Sequence, residues 1–302
     1  EIILTASNIR GEKTATTKVD VYGKYRDGTF ILSEGSAYSG KPATLTFISP
    51  KGIVTDSAFY KENGTMLGGV GQDVFIANNK IYIICQNGKL SGVNNEGNLI
   101  IANAETLKKA ESYDDEINNQ TLSWPTHIAV TGTDNLFIRD NKGVYLFNTS
   151  TKKLTFIKGT EGATKNTMAV VGDKVFVPCA KNVLVLQADK VKEGEESVVA
   201  KIEFPGKVSG VIKSSDGNVW VSCSSKPAQI SKISSTDFSI IKTNDISDNI
   251  SVTAGVAAAS GITAKGDTLY FCNLSTTIYR HLFATNETKL MANAKDYVQD
   301  AN

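Results

Sequence analysis

A short phrase that recurs along the chain constrains its fold more than any other feature. The phrase is a small polar turn followed by an apolar residue, an aromatic residue and a second apolar residue. Its aromatic positions, about 48 residues apart on average, are Phe30, Tyr82, Phe137, Phe176, Trp220 and Tyr270. Self-similarity at a period of roughly 40 to 50 residues, with strand signals and almost no helical signal, is typical of a β-propeller built from four-stranded blades. The sequence therefore predicts an all-β propeller with six visible repeats.

Four strand signals follow one another within a repeat. In the third repeat they are residues 126–131, 136–139, 144–147 and 154–157. Turns rich in Gly, Asn and Asp separate them, as expected for antiparallel neighbours in one sheet. A turn of helix is predicted only around residues 104–111.

The first repeat is incomplete. Residues 30–33, 43–48 and 54–59 fit strands two, three and four of a blade, and nothing suitable for an inner strand precedes them. Propellers avoid open sheet edges by letting one terminus complete the blade begun by the other. We therefore expect the inner strand of this blade to come from the C-terminal end.

The first 23 residues differ in kind from the repeats. Residues 2–8 and 15–22 alternate in polarity around a Gly-Glu-Lys turn, which predicts a two-stranded hairpin. The segment resembles the last two strands of a PKD-type, immunoglobulin-like module. The predicted organisation is thus residues 1–23 as the end of such a module and residues 24–302 as the propeller, with residues 23–28 as the linker.

Composition excludes several functions. The chain carries 32 basic and 31 acidic residues, a net charge of +1, and no long block of either sign. Nucleic acids and anionic membranes require a basic patch, so neither is an expected partner. No window of 18 apolar residues occurs, so no membrane span is predicted, and the acidic start is unlike a signal peptide.

The four cysteines are predicted to be free thiols. Cys85, Cys179 and Cys223 follow the repeated aromatic residue at the same spacing, and Cys272 is close to it. Equivalent positions of successive blades lie too far apart for a disulfide. We expect these small side chains to pack between blades.

The opening of the propeller resembles a known family. Residues 28–88 contain a Phe-Ile-Leu-x-Glu-Gly strand (30–35), an Ala-Thr-Leu strand ending in Pro (43–50), a Phe-Tyr-x-x-Asn-Gly segment (59–64) and a Leu-Gly approach to Gln72. In these features the chain is similar to the YncE-like, DUF5074-type surface β-propellers of gut Gram-negative anaerobes. The resemblance implies seven blades, of which the last would follow Asn302. It also implies a lipoprotein on the extracellular side of the outer membrane, with its anchor outside this chain.

The same resemblance suggests a ligand. The best understood relatives capture cobalamin and related corrinoids and hand them to a TonB-linked transporter. The resemblance therefore makes a corrinoid the most specific expectation for a small-molecule ligand. The fold alone does not imply this ligand, because proteins that share a fold often differ in function.

The default binding surface of such a propeller is the face at which strand one of each blade begins and strand two ends, here named the top face. Its loops are predicted at residues 34–41, 68–72, 86–87, 123–125, 139–141, 162–166, 179–181, 224–227 and 273–275. They are rich in aromatic, amide and hydroxyl side chains, which suit adaptable binding.

The preferred ligand contacts are Tyr38, Gln72, Trp124, Arg139, Lys181 and Asn273. Trp124, in a loop before Pro125, is costly to leave exposed, so it either packs or faces a ligand.

Catalysis has little support in the sequence. The two histidines, His127 and His281, belong to different repeats, and no nucleophile elbow, zinc-protease motif or phosphate-binding loop occurs. The Ser-Ser-Asp-Gly-Asn-Val-Trp stretch at 214–220 resembles the Asp-box of sialidases but is explained by the repeat. We predict no catalytic residues, no metal ligands and no cofactor.

The leading hypothesis is a non-enzymatic surface protein that captures a nutrient, with a corrinoid as the specific ligand. The alternative is a glycan-binding or protein-recognition module of a cell-surface assembly, which a flat rather than concave top face would favour. A lyase or hydrolase would require His127 to share a pocket with a metal site or a second acid-base residue.

Overall fold

The structure is a computed structural model that describes residues 2–18, 22–36, 38–114, 122–247, 249–253, 260–272 and 275–297. Within these residues the chain forms one β-hairpin and six antiparallel sheets, and the sheets are the blades of a β-propeller. The blades are numbered 1 to 6 in chain order. None of the helices in the described part of the chain is long and apolar enough to cross a lipid bilayer.

The hairpin and blade 1 come first. The hairpin consists of β1 (Ile2–Asn8) and β2 (Gly11–Thr17), and blade 1 consists of β3 (Thr29–Ser33), β4 (Thr44–Ile48) and β5 (Val54–Thr55), followed by helix α1 (Ala58–Asn63). All side chains of the hairpin are exposed. A hairpin is confirmed, but its turn lies at residues 9–10, and the predicted Gly-Glu-Lys turn is instead the start of β2. The assignment of the hairpin to a PKD-type module stays a prediction.

Blades 2 to 6 each contain four strands in simple sequence order. Blade 2 contains β6 (Gly69–Ala77), β7 (Lys80–Gly88), β8 (Leu99–Asn103) and β9 (Lys109–Tyr113), and blade 3 contains β10 (His127–Thr131), β11 (Asn135–Arg139), β12 (Val144–Asn148) and β13 (Lys153–Phe156). Blade 4 contains β14 (Ala169–Val171), β15 (Lys174–Cys179), β16 (Asn182–Gln187) and β17 (Ala200–Glu203), and blade 5 contains β18 (Val208–Lys213), β19 (Val219–Cys223), β20 (Gln229–Ile233) and β21 (Ile240–Asp245). Blade 6 contains β22 (Ile262–Lys265), β23 (Thr268–Phe271), β24 (Thr277–Leu282) and β25 (Glu287–Asn293). Short 3₁₀ turns occupy Ala188–Lys190 and Ala294–Asp296.

The recurrent aromatic residue is explained by the way in which blades pack. In blades 2 to 5 it lies on the second strand and is buried in the cluster shared with the following blade, as Tyr82, Phe137, Phe176 and Trp220. Its neighbours along the strand point to the opposite side, because side chains alternate across a strand. Ile81 and Ile83, for example, pack in the cluster shared with blade 1. The second strand is therefore apolar on both faces, and the seams between blades form the core.

The predicted blade organisation is confirmed for most strands, with two corrections. Residues 54–59 do not form one strand: β5 ends at Thr55, and α1 follows. The helix ends at Asn63 and is capped by Gly64, which has φ +70° and an N–H that donates to the Tyr60 carbonyl. This left-handed glycine is a common helix terminus. The predicted turn of helix at 104–111 is shorter than expected: residues 104–106 form one turn, closed by the Leu107 N–H that donates to the Asn103 carbonyl, and β9 begins at Lys109 and pairs with β8.

Blade 1 has three strands in the described residues, in agreement with the expected absence of its inner strand. The seventh blade that the resemblance implies stays a prediction. The predicted linker is not a free tether: Tyr25 is buried in the seam between blades 1 and 2, and its N–H donates to the Glu105 carbonyl.

The cysteine prediction is confirmed except for the packing of Cys272, which is only partly buried and lies in none of the buried clusters of the described residues. All four are free thiols, and Cys85, Cys179 and Cys223 are buried in three different seams. Burial raises the pKa of the Cys85 thiol to about 12, which makes it unreactive.

Candidate ligand-binding site

A concave site opens on the top face where blades 1, 2 and 3 meet. This top-face cleft has a volume of about 480 Å³ and is lined by Glu34, Gly35, Ser36, Tyr38, Val70, Gln86, Asn87 and Trp124. All eight residues lie in four of the predicted top-face loops: the loop after β3, the start of β6, the end of β7 and the segment before β10. Sequence reasoning thus predicted the surface, although it selected only Tyr38 and Trp124 among these residues.

The two aromatic side chains of the top-face cleft are open to solvent. Tyr38 is fully exposed, and Trp124 is 60% exposed. The Trp124 side chain is therefore not packed in the core, and its contact with a ligand stays a prediction. Large aromatic surface held at the rim of a cleft suits contact with a flat apolar ligand face.

The backbone of the cleft is strained at two bulky residues. Val70 and Trp124 have φ values of +56° and +57°, in the left-handed region that β-branched and bulky residues seldom occupy. Register shifts on either side of Gly71 interrupt β6 next to Val70. Strained residues and β-bulges cluster at binding and catalytic sites, where the surrounding structure holds them. Both strained residues line this cleft.

The polar side of the cleft is set by Glu34. Its Oε1 accepts a hydrogen bond of 2.8 Å from Gln72 Nε2, and its backbone carbonyl accepts one of 3.0 Å from Gly71 N–H. Gln72 thus supports the cleft by orienting Glu34. Among the described residues that line the cleft, Glu34 is the one charged side chain. The arrangement favours ligands that present N–H or O–H donors.

The loop that carries Trp124 is fixed by Asp140. This fully buried carboxylate accepts from Ser123 N–H through Oδ2 at 2.7 Å, and from Lys142 N–H at 2.7 Å and Gly143 N–H at 3.1 Å through Oδ1. Asn141 N–H also donates to the Ser123 carbonyl at 2.9 Å. Asp140 therefore ties the residue before Trp124 to the hairpin between β11 and β12.

Replacing Asp140 with asparagine is expected to release the Trp124 loop, because an amide NH₂ would then face a backbone donor. Loss of a charge-assisted hydrogen bond corresponds to about 1.5–3 kcal/mol. In a Trp220→Phe background, Trp124 is the only tryptophan. Its emission should shift to the red and become more accessible to acrylamide in Asp140→Asn but not in Asp134→Asn, which alters the opposite end of the same blade. Unchanged emission in Asp140→Asn would contradict this role.

Two of the other predicted contacts, Arg139 and Lys181, do not line the cleft. Arg139 is only 8% exposed: its Nε and Nη2 both donate to the Ala163 carbonyl at 3.1 Å, and its Nη1 donates to Thr126 Oγ1 at 3.2 Å. It joins blade 3 to the segment that enters blade 4 and does not line the cleft. Lys181 lies exposed in the turn between β15 and β16, away from the lining residues, and Asn273 lies outside the described residues.

The histidines are buried. His127 Nδ1 lies 2.9 Å from Thr126 Oγ1, and the side chain does not line the cleft. His281 Nε2 lies 3.0 Å from Asn244 Nδ2, and its Nδ1 lies 2.9 Å from Thr288 Oγ1. In the part of the chain that the structure describes, no group of three or more His, Cys, Asp or Glu side chains is placed to hold a metal ion.

Sequence reasoning missed a partly buried acidic residue that lies three positions after Val70 of the cleft. Asp73, on β6, accepts from Val74 N–H at 2.8 Å and from Ile128 N–H at 3.1 Å, and so links blades 2 and 3. Burial without a basic partner raises its pKa to about 7. No motif marks this residue, since its setting depends on the interrupted register of β6.

The architecture agrees with comparison to known proteins. The family model DUF5074, described as a domain of unknown function, matches residues 27–302. The chain belongs to the DUF5074 family. A comparison of this DUF5074 protein with curated proteins gave no significant match.

Solved structures share its fold at low identity. A quinonprotein alcohol dehydrogenase-like protein from Bacteroides thetaiotaomicron superimposes with a TM-score of 0.66 at 16% identity, covering 94% of this chain and 67% of the other. The computationally designed Ika8 protein gives 0.55 at 11% identity, covering 87% and 70%. PorZ of Porphyromonas gingivalis, described as an essential bacterial surface component of the type-IX secretion system, gives 0.50 at 13% identity, covering 90% and 31%. At these identities the likeness establishes the fold alone.

Proposed function

We propose that this DUF5074 protein is a non-enzymatic binding protein that holds a small molecule in the top-face cleft. The observation that carries the proposal is the exposed, strained Trp124 at the rim of a 480 Å³ concavity. Holding a large aromatic side chain in water and in a left-handed backbone is costly, and a ligand that covers the side chain offsets part of that cost. A concave face also favours a small molecule over a flat glycan or protein surface.

The ligand we propose is a corrinoid. The resemblance of residues 28–88 to corrinoid-capturing propellers is the specific support. The chemistry of the cleft is compatible with it, since a corrin ring offers a flat face to Trp124 and a rim of amides to Gln86, Asn87 and Ser36. The cleft would hold one edge of such a ring, and the exposed remainder would be available to a TonB-linked transporter.

We place this activity on the outer surface of the cell. The support is the same family resemblance, which implies an outer-membrane lipoprotein. PorZ provides a precedent for a propeller-containing surface component with this fold.

Titration with cyanocobalamin tests the proposal. Binding at micromolar or lower concentration, followed by absorbance and calorimetry, is the expected result. Trp124→Ala should weaken binding by about 30-fold or more, as expected for an aromatic anchor that the ligand covers. Tyr60→Ala removes a half-exposed aromatic residue that does not line the cleft, and it should leave the affinity unchanged.

Three results would count against the proposal in different ways. Absence of cyanocobalamin binding would remove the corrinoid. Binding of an oligosaccharide on a glycan array, lost in Trp124→Ala, would support the alternative glycan-binding module at the same cleft. Equal loss of affinity in Trp124→Ala and Tyr60→Ala would place the ligand elsewhere.

A further inference from the structure

Two Asn-Gly pairs occur in the chain, and the fold surrounds them differently. They are Asn63-Gly64, at the end of α1, and Asn87-Gly88, at the end of β7. An asparagine before glycine is chemically labile, because glycine has no Cβ to keep its backbone nitrogen away from the asparagine side chain. Attack of that nitrogen on the side-chain amide expels ammonia. The surroundings of each pair therefore decide whether it reacts in the folded protein.

Asn63 is held away from this reaction. Its Nδ2 donates to the carbonyls of Phe59 at 2.9 Å and Leu107 at 2.8 Å, and its Oδ1 accepts from Lys109 N–H at 2.8 Å. The nitrogen that would attack, Gly64 N, donates its hydrogen to a carbonyl of α1. Both reacting groups of this pair are thus engaged in the fold.

The Asn87 side chain lacks such restraints. It is exposed and forms no hydrogen bond with any described residue. The register between β6 and β7 places Gln86 and Asn87 opposite the single residue Val70, so Asn87 lies in a β-bulge. On the other edge of β7, the register with β8 ends at Ile84. The backbone at Asn87 is therefore outside the regular pairing of the blade.

Gly88 completes the labile pair and cannot be exchanged. Its φ is +57°, and a Cβ at this position would press against Asp114 Oδ1 and lie 2.7 Å from Asn98 Oδ1. The fold requires glycine here. Substitutions that test the pair therefore belong at Asn87.

We propose that Asn87 is a deamidation site of the folded protein, and that its reaction places a second carboxylate in the top-face cleft. Gly88 N attacks Asn87 Cγ and forms a C–N bond, and the Cγ–Nδ2 bond breaks as ammonia leaves with the amide proton. Water then opens the resulting succinimide at either carbonyl, which gives aspartate or isoaspartate. Since Asn87 lines the cleft beside the charged Glu34, the negative charge of the described lining doubles.

The reaction also changes hydrogen bonding in the cleft. The Asn87 amide has two N–H donors, whereas a carboxylate only accepts. A ligand whose carbonyl groups accept from Asn87 loses those bonds and meets a second negative charge. This effect on affinity rests on the proposed function, and the deamidation itself does not.

Peptide mapping by mass spectrometry tests the reaction. The native protein is held at pH 8.5, and conversion of amide to carboxylate is followed at both pairs. Asn87 should react at least about tenfold faster than Asn63, whose three hydrogen bonds must break first, and it should yield isoaspartate as well as aspartate. In urea the two pairs should react at similar rates. Equal rates in the native protein, or reaction of Asn87 in urea alone, would overturn the proposal.

Quenching of Trp124 fluorescence reports the new charge. In a Trp220→Phe background at low salt, Asn87→Asp should lower the ratio of iodide to caesium quenching at least about twofold, because the carboxylate repels the anion and attracts the cation. Quenching by neutral acrylamide should stay the same. Asn286→Asp makes the identical change in an exposed turn that does not line the cleft, and it should leave the ratio unaltered. The same ratio in Asn87→Asp and its parent would refute a charge in the cleft.

Ageing joins the two readouts. Protein held at pH 8.5 should acquire the quenching ratio of Asn87→Asp, and Asn87→Gln, whose longer side chain cyclises slowly, should not. An equal change in Asn87→Gln would place the reaction at another residue.

Cyanocobalamin separates this inference from the proposed function. Fresh protein that fails to bind it would remove the corrinoid, while peptide mapping and quenching still decide the deamidation. If fresh protein binds, Asn87→Asp should bind at least about threefold more weakly, since a donor has been replaced by an acceptor. Equal affinity would overturn the effect of deamidation on the ligand.

Discussion

Trp220→Ala should lower the free energy of unfolding by about 4 kcal/mol, the range expected for deleting a fully buried large aromatic side chain. Trp220 fills the seam between blades 5 and 6, with its ring centroid 4.6 Å from that of Phe283 in an edge-to-face arrangement. The Lys232 ammonium lies 4.5 Å from the centre of the indole. Alanine would leave a cavity that these neighbours cannot fill. Urea denaturation followed by far-ultraviolet circular dichroism measures the change.

Phenylalanine at this position separates packing from hydrogen bonding. The Trp220 Nε1 donor is buried and has no acceptor among the described residues. Phenylalanine retains most of the apolar volume and removes that unmet donor, so Trp220→Phe should cost only about 1 kcal/mol. Trp124→Ala deletes an exposed tryptophan and should change the stability by less than about 0.5 kcal/mol. A similar cost for Trp220→Ala and Trp124→Ala would contradict the assignment of Trp220 to a structural seam.

Asp73→Asn should change how stability depends on pH. The pKa of Asp73 is raised from 3.8 to about 7 in the folded protein, so between these values the folded state holds a proton that the unfolded state has lost. The protonated Asp73 carboxyl group therefore stabilises the folded state at low pH, and this stabilisation is lost as the pH rises from about 4 to 7. The shift corresponds to no more than about 4 kcal/mol. Asparagine does not titrate and should remove this component.

The measurement is the difference in unfolding free energy between variant and wild type at several pH values. His281 acts in the opposite direction, because burial and Lys242 lower its pKa to about 4, so the folded protein loses stability as the pH falls from 6.5 to 4. Without Asp73 this loss is no longer offset, and Asp73→Asn should be more sensitive to acid than the wild type. Asp27→Asn, at an exposed carboxylate in a left-handed turn, is the control. Parallel pH profiles for Asp73→Asn and the wild type would contradict the prediction.

The blades could be predicted because their seams impose a strict pattern on the second strand. Burial on both faces requires an apolar residue at each position of this strand, and the repeated aromatic makes the period visible. Helix α1 was missed because Phe59 is apolar and buried, as a strand residue would be. The Asn63-Gly64 terminus carried the signal that distinguishes the two.

The site was predictable as a surface and less so residue by residue. Tyr38 and Trp124 stand out because large aromatics in turns are uncommon, and both line the cleft. Arg139 ends a strand, and only the register decides whether such a side chain points to a loop or into a seam; here it points to the Ala163 carbonyl. The strain at Val70 and the anchoring by Asp140 depend on backbone geometry, which no sequence motif encodes.

The burial of the second strands has a consequence for how this family can diversify. Each seam joins only adjacent blades, so the stability of the propeller comes from contacts between neighbouring blades and depends little on the loops. The top-face loops can therefore be exchanged, lengthened or given different side chains while the blades beneath them keep their stability. A graft of the 34–41 loop from another member of the family should transfer its ligand preference and leave the melting temperature within a few degrees.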